Sequence, residues 1–155
     1  MLLPGKIAVL SAIFFIAFFQ NSAILSTKGV IPMNILFIGN SFAEDTAEHA
    51  ANVALSMGIS QIKIGVLYIG GCSLERHYRN MLSGERAYAL ECNGHNTDFR
   101  ISLDEALLNR QWDVITLQQA SPLSFSEDTY HPYVSALADY VRECSPKAKL
   151  YMHNT

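Results

Sequence analysis

The chain has 155 residues, 50% of them hydrophobic, which is enough material for one globular domain with an ample core. Its formal net charge of -3 comes without any Lys/Arg cluster, and this argues against nucleic acid as a partner, because phosphate binding needs a concentrated basic face. No internal repeat or low-complexity tract is present.

At the N-terminus Lys6 precedes residues 7–19, which are apolar except for Ser11, and Gln20, Asn21, Ser22 and small Ala23 follow. That order of positive, apolar and small residues predicts a secretory signal peptide over residues 1–23, with an uncleaved anchor as the alternative. The apolar run is short of the about 20 residues that a span needs, so no stable membrane span is expected after cleavage. No Cys follows closely, which argues against a lipid anchor. The expected location is therefore secreted or periplasmic.

The next stretch, Met33 through Phe42, organises the rest. Ile35, Leu36, Phe37 and Ile38 suit a strand buried on both faces of a parallel sheet, and the run stops at Gly39-Asn40-Ser41. Residues 43–57 have helical composition, with Asp45 and Glu48 reading as an N-cap pair and Gly58 as a C-cap. Gly39-Asn40-Ser41 thus falls on a strand-to-helix turn, beside helix amides that favour developing negative charge. Ser41 is placed as a nucleophile would be, although a helix cap is the commoner role for such a serine.

Residues 61–69 read as the second strand, broken by Gly70-Gly71, and Leu74 opens a short helix. Residues 83–100 are polar and read as an excursion, with a hairpin around 88–91, outside the central sheet. Ser102-Leu103-Asp104-Glu105 is a capping box that opens a helix with Leu103, Ala106, Leu107 and Arg110 on successive turns. Residues 112–117 form the third strand, ending in Gln118-Gln119. Val134, Leu137, Ala138 and Val141 mark an amphipathic helix, and Lys149–His153 begins a fourth strand.

Strands separated by helices predict right-handed β-α-β units and hence a three-layer α/β/α sandwich with a parallel, flavodoxin-like sheet. Such sheets bind ligands at the carboxyl ends of their strands. Three special sequences fall at that edge: Gly39-Asn40-Ser41, Gly70-Gly71-Cys72 and Gln118-Gln119. A serine attacking a carbonyl needs donors aimed at the oxyanion. The Gly71 amide offers one and the Gln118 carboxamide another, with Gln119 as the alternative, because strand alternation turns only one of the two glutamines into a site. Asn40 and His153, on the same edge, are candidate substrate contacts, a structural role being the alternative for His153.

These residues resemble a known superfamily. Gly39-Asn40-Ser41-Phe42 is similar to the first block of the SGNH/GDSL hydrolases, with Asn40 where Asp is usual. Gly71-Cys72-Ser73-Leu74 resembles their second block, whose Gly amide contributes to the oxyanion hole. Leu117-Gln118-Gln119-Ala120-Ser121 occupies the third block, departs from the usual Gly-x-Asn-Asp, and is closer to the Gln-containing form of some carbohydrate acetylesterases. With Tyr151-Met152-His153-Asn154-Thr155, the pattern looks like a secreted bacterial SGNH-like branch over residues 34–155. The resemblance implies a serine esterase or acyl hydrolase, on small-molecule or carbohydrate esters, with no metal or organic cofactor.

In that superfamily the general base and its orienting Asp lie in a late Asp-x-x-His block, and none of the five His here sits in such a setting. The expectation is an N-terminal portion of a longer enzyme, its fold incomplete at the C-terminus and largely inactive alone. A secreted, non-catalytic carbohydrate-binding module on the same scaffold is the alternative. A flavodoxin-type cofactor domain is disfavoured by the absence of a flavin phosphate loop or a Gly-rich fingerprint. His49, His77 and His95 read as surface residues, and His131 as part of a turn. Cys72, Cys92 and Cys144 match no metal-site spacing and read as buried free thiols, with a Cys72–Cys92 bridge as the alternative. Tyr68, Tyr78, Tyr88 and Trp112 are placed to stack on sugar rings or to pack in the core.

Overall fold

In the computed structural model, which describes residues 32–154, the apolar run forms strand β1, Met33–Gly39. Helix α1, Ser41–Ser56, follows after one residue. The chain continues through β2 (Ile62–Tyr68), α2 (Leu74–Ser83), β3 (Tyr88–Cys92), β4 (His95–Ile101), α3 (Leu103–Leu108), β5 (Val114–Gln118), α4 (Tyr133–Cys144) and β6 (Lys149–His153). The described residues form a mixed α/β fold with a six-stranded sheet of order β4-β3-β2-β1-β5-β6. The expected signal peptide, residues 1–23, lies outside the described residues. Among these, no helix is long and apolar enough to cross a membrane.

β2, β1, β5 and β6 are mutually parallel, as β-α-β units require. β1 and β5 are the central pair, and every residue of β5 is buried. Side chains leave the sheet alternately, so β1 feeds two cores. Ile35 and Phe37 pack with Ala43, Ala47, Ala50 and Ala54 of α1. Leu36 and Ile38 pack with Leu74, Leu103, Leu107, Leu137 and Val141 of the other three helices. The alanine stripe lets α1 lie close to the strands, and this closeness governs the site described below.

The all-parallel sheet expected from the sequence is corrected by β3 and β4. This hairpin belongs to the sheet, with β3 pairing antiparallel to β2. Without it the apolar outer edge of β2 would keep unpaired backbone groups. Asn93 and Gly94 both have positive φ, 50° and 78°, the conformation of the two-residue turn that Asn-Gly favours. Asn93 also accepts from the Ile64 amide through its side chain and donates its own N–H to the Ile64 carbonyl, each at 2.8 Å.

The first helix cap is also corrected. Asn40, not Asp45, is the N-cap: its Oδ1 accepts from the Phe42 amide at 3.3 Å. Asp45 lies well inside α1, and the cap belongs to the last extended residue before the helix. The Ser102–Glu105 capping box forms as expected, and Gly84, at φ 64°, ends α2 in the left-handed conformation. Tyr88 and Trp112 are buried, Trp112 donating its indole N–H to the Ala106 carbonyl at 2.9 Å, so packing decides both. All three cysteines are free: Cys72 is buried, Cys144 half-buried and Cys92 exposed, and the Cys72–Cys92 bridge is not formed.

Candidate functional site

The three strand-end sequences meet at Asn40. Its backbone N–H donates to Gln118 Oε1 at 3.1 Å. Its side-chain Nδ2 donates to the carbonyls of Cys72, at 3.4 Å, and Gln119, at 3.3 Å. One buried residue thus ties the β1 turn to the Gly70-Gly71-Cys72 turn and to the end of β5. Because these contacts and the helix cap use its whole carboxamide, Asn40 is a structural bracket, and its 2% exposure leaves little of it for the substrate contact expected from the sequence.

Ser41 is the first residue of α1 and is exposed. Neither its hydroxyl nor its amide has a hydrogen-bond partner among the described residues. The exposed Gly71, at φ 60°, likewise has an amide without an acceptor there, and a Cβ at this position would meet open space. The adjacent turn is closed by Cys72 N–H donating to the Ile69 carbonyl at 3.1 Å. Two unspent amides and one unspent hydroxyl therefore lie on two turns that Asn40 ties together, the Ser41 amide carrying the helix-dipole advantage of an N-terminus.

Gln118 does not present its amide to that space. It is fully buried; Oε1 accepts from Asn40, and Nε2 lies 3.2 Å from Nδ1 of His153, its register partner on β6. An amide NH2 only donates, so Nδ1 accepts and Nε2 carries the proton, placing an N–H 3.3 Å from Thr46 Oγ1 on α1. The expected oxyanion donor is thus already engaged. Phe37 packs edge-on against the His153 ring, and burial lowers the imidazole pKa to about 4. His153 is neutral near pH 7 and holds Gln118.

Gln119 points to the opposite face, as alternation requires. Its Oε1 accepts from the Leu74 and Ala120 amides at 3.0 and 2.9 Å, while Nε2 donates to the carbonyl and hydroxyl of Thr129 at 2.9 and 3.2 Å. It pins the start of α2 to the loop after β5 and supplies no oxyanion donor. Replacing Gln119 with Ala orphans the buried Leu74 and Ala120 amides, and a loss of roughly 2–4 kcal/mol in unfolding free energy is expected by urea titration.

Beneath the Gly70-Gly71 turn lies a cluster absent from the sequence reading. His77, expected at the surface, is fully buried, because this face of α2 packs on the sheet. Its Nδ1 lies 3.0 Å from the Tyr88 hydroxyl and 3.6 Å from Cys72 Sγ, and its ring stacks parallel to Tyr88. Burial, assisted by Arg76, lowers the His77 pKa to about 3, while burial pushes the Cys72 thiol up to about 12. The signal that could have located His77 is its spacing of three residues from Leu74 and Asn80, the other buried residues of α2.

These shifts set a pH dependence. The folded protein refuses protons at His77 and His153 that the unfolded chain accepts near pH 6.5, so their stabilisation is complete above that pH and lost as pH falls. Glu91 acts oppositely: burial, then Glu44 and Glu48, raise its pKa to about 7, so its contribution is lost as pH rises through neutrality. Two histidines against one carboxyl leave a net uptake on unfolding near one proton, or about 1.4 kcal/mol per pH unit between pH 6 and 5. The urea midpoint is expected to fall across that window, and to fall more steeply in Glu91→Gln.

A cleft of about 520 Å³ beside the second turn is lined by Ser73, Arg76, Arg79, Asn80 and Glu85, among others. Its walls are mainly polar and charged. No group of His, Cys, Asp or Glu among the described residues is arranged to hold a metal ion.

Residues 34–155 match the family model described as a domain of unknown function, DUF4886, and the chain belongs to that family. A crystal structure of a DUF4886 family protein from Bacteroides uniformis ATCC 8492, at 1.50 Å resolution, is similar at 38% sequence identity with a TM-score of 0.73. The match covers 79% of this chain and 49% of that one, so this chain spans about half the length of its solved relative. No curated protein matches the chain.

Proposed function

We propose that this chain carries the nucleophile-bearing part of a serine ester hydrolase built on an SGNH-like three-layer α/β/α scaffold. The observation that carries this reading is the meeting of three strand ends at Asn40, next to an exposed Ser41 whose hydroxyl and amide are both unspent. The parallel strand order β2-β1-β5-β6, with helices on both faces, supports the scaffold. In the proposed reaction Ser41 Oγ attacks the ester carbonyl carbon as a base takes its proton. The Ser41 and Gly71 amides receive the oxyanion, and collapse expels the alcohol. Water then attacks the acyl-enzyme, releasing the acid and restoring the hydroxyl.

In this reading the base is a histidine of the late Asp-x-x-His block that the resemblance implies for a longer protein: His153 is engaged by Gln118 and Thr46, and His77 is fully buried against Tyr88. The likeness of Gln118-Gln119 to the Gln-containing block of carbohydrate acetylesterases favours an ester on a carbohydrate, and the leader-like N-terminus favours action outside the cytoplasm. A fluorophosphonate probe is expected to label Ser41 of the full-length protein stoichiometrically, as read by peptide mass spectrometry. Failure to label, in protein that binds acetylated oligosaccharide, would favour the second reading, a non-catalytic carbohydrate-binding module. The commitment of both glutamine side chains elsewhere is the observation on its side.

A further inference from the structure

We infer that His153 is a positioning residue for the Ser41 turn, acting through Gln118 rather than on substrate. The inference rests on the reading of Ser41 as nucleophile, but its geometry can be tested independently. Four elements contribute to one polar circuit. Thr46 on α1 meets His153 on β6, His153 meets Gln118 on β5, and Gln118 meets the Asn40 amide at the end of β1. The circuit starts and ends around the helix that Ser41 opens, since Thr46 lies on α1 and Asn40 caps it.

Each link constrains the next. Asn40 N–H needs an acceptor because the residue is buried, and Gln118 Oε1 is that acceptor. A carboxamide that accepts on one side presents its NH2 on the other, where only an acceptor is tolerated. The Nδ1 lone pair of neutral His153 supplies it, and the far nitrogen is then a donor, matched by Thr46 Oγ1. Burial is the cause of the lowered His153 pKa, and Thr46, Gln118 and the Phe37 ring contact the imidazole. Protonating Nδ1 would set two donors against each other and release Gln118 from Asn40. β6 thereby acts on the nucleophile turn from two strands away.

Amide hydrogen exchange in the full-length protein tests this, with Asn40 as the reporter. In His153→Phe, which keeps an aromatic ring but removes the acceptor, Asn40 exchange should accelerate about tenfold or more, while the Leu36 and Ile38 amides of β1 stay unchanged. In His153→Asn, whose Oδ1 replaces Nδ1, it should stay within about threefold of the parent, and labelling of Ser41 should follow the same order. Lowering the pH toward 4 should accelerate Asn40 exchange, beyond the intrinsic pH effect, in the parent but not in His153→Asn. Gln118→Glu gives a reading that survives poor folding of the His153 variants: the carboxylate should raise the His153 titration, followed by its ring proton resonance, above 6.5.

Unchanged Asn40 exchange in His153→Phe, equal acceleration in both His153 variants, or an unmoved His153 titration in Gln118→Glu would each overturn the inference. Ester hydrolysis that persists in Ser41→Ala would instead overturn the reading of Ser41, with the exchange result still deciding the positioning role.

Discussion

Ser41→Ala is expected to lower ester turnover by the full-length protein about 10⁴-fold or more, and to abolish fluorophosphonate labelling, with almost no effect on stability. The two halves of this expectation have separate causes. The hydroxyl is exposed and makes no hydrogen bond among the described residues, so its removal leaves no buried group unpaired. Asn40, not Ser41, caps α1, and Ala is a good helix former at the first position, which keeps the change in unfolding free energy within about 0.5 kcal/mol. Catalysis, by contrast, loses the atom that forms the acyl-enzyme in the proposed reaction. Turnover of p-nitrophenyl acetate and a urea titration on the same preparations measure both halves. Parent-like turnover in Ser41→Ala would place the nucleophile elsewhere.

Gly39→Ala should be the most damaging single methyl group in the site. A Cβ there would stand 2.6 Å from Gln118 Oε1 and 2.8 Å from the Cβ of Ala43. Gln118 could swing away only by abandoning the Asn40 amide and His153, and Ala43 is a fully buried part of α1 that moves only with the helix. The gap is volumetric, since the φ of Gly39 is not among the positive values that favour glycine. Overpacking together with a lost buried hydrogen bond is expected to cost about 3 kcal/mol, read as a lower urea midpoint, and to reduce Ser41 labelling as the turn is displaced. Gly70→Ala is the control: its Cβ would meet the Tyr68 hydroxyl at 3.4 Å, an ordinary contact, and stability should stay near the parent value. Equal losses in both variants would show that the close approach of Gln118 is not what requires glycine at 39.

The same small space explains why Asn-Ser follows Gly here. A residue without a side chain admits the Gln118 carboxamide beneath the turn, and an N-capping carboxamide then bridges to both neighbouring loops. Together they present a serine whose own groups remain free. Each of the three residues has a separate physical task, and only the last faces outward.

Much of this arrangement is legible locally. The apolar run 35–38, the Ser102–Glu105 box, the stripe through Leu137 and Val141, and the three interruptions at strand ends carry their own periodicity or capping chemistry. Asn93-Gly94 carries the turn signal of the hairpin, whereas the pairing of β3 with β2 is a tertiary matter. His77 is hidden from a sequence reading because a short helix with two Arg and a Glu looks solvated, whereas its buried face is set by β3 and the Cys72 turn.

The amino-acid sequence alone determined the order of the parallel strands with their helices and the sharp turn before Ser41, because these follow from interactions within a few residues. Tertiary structure decided which glutamine faces which side and what each one holds. Gln118 reaches its partners across 78 and 35 residues of chain, and strand register, set by packing of the whole sheet, brings Asn40 and His153 to either end of one carboxamide.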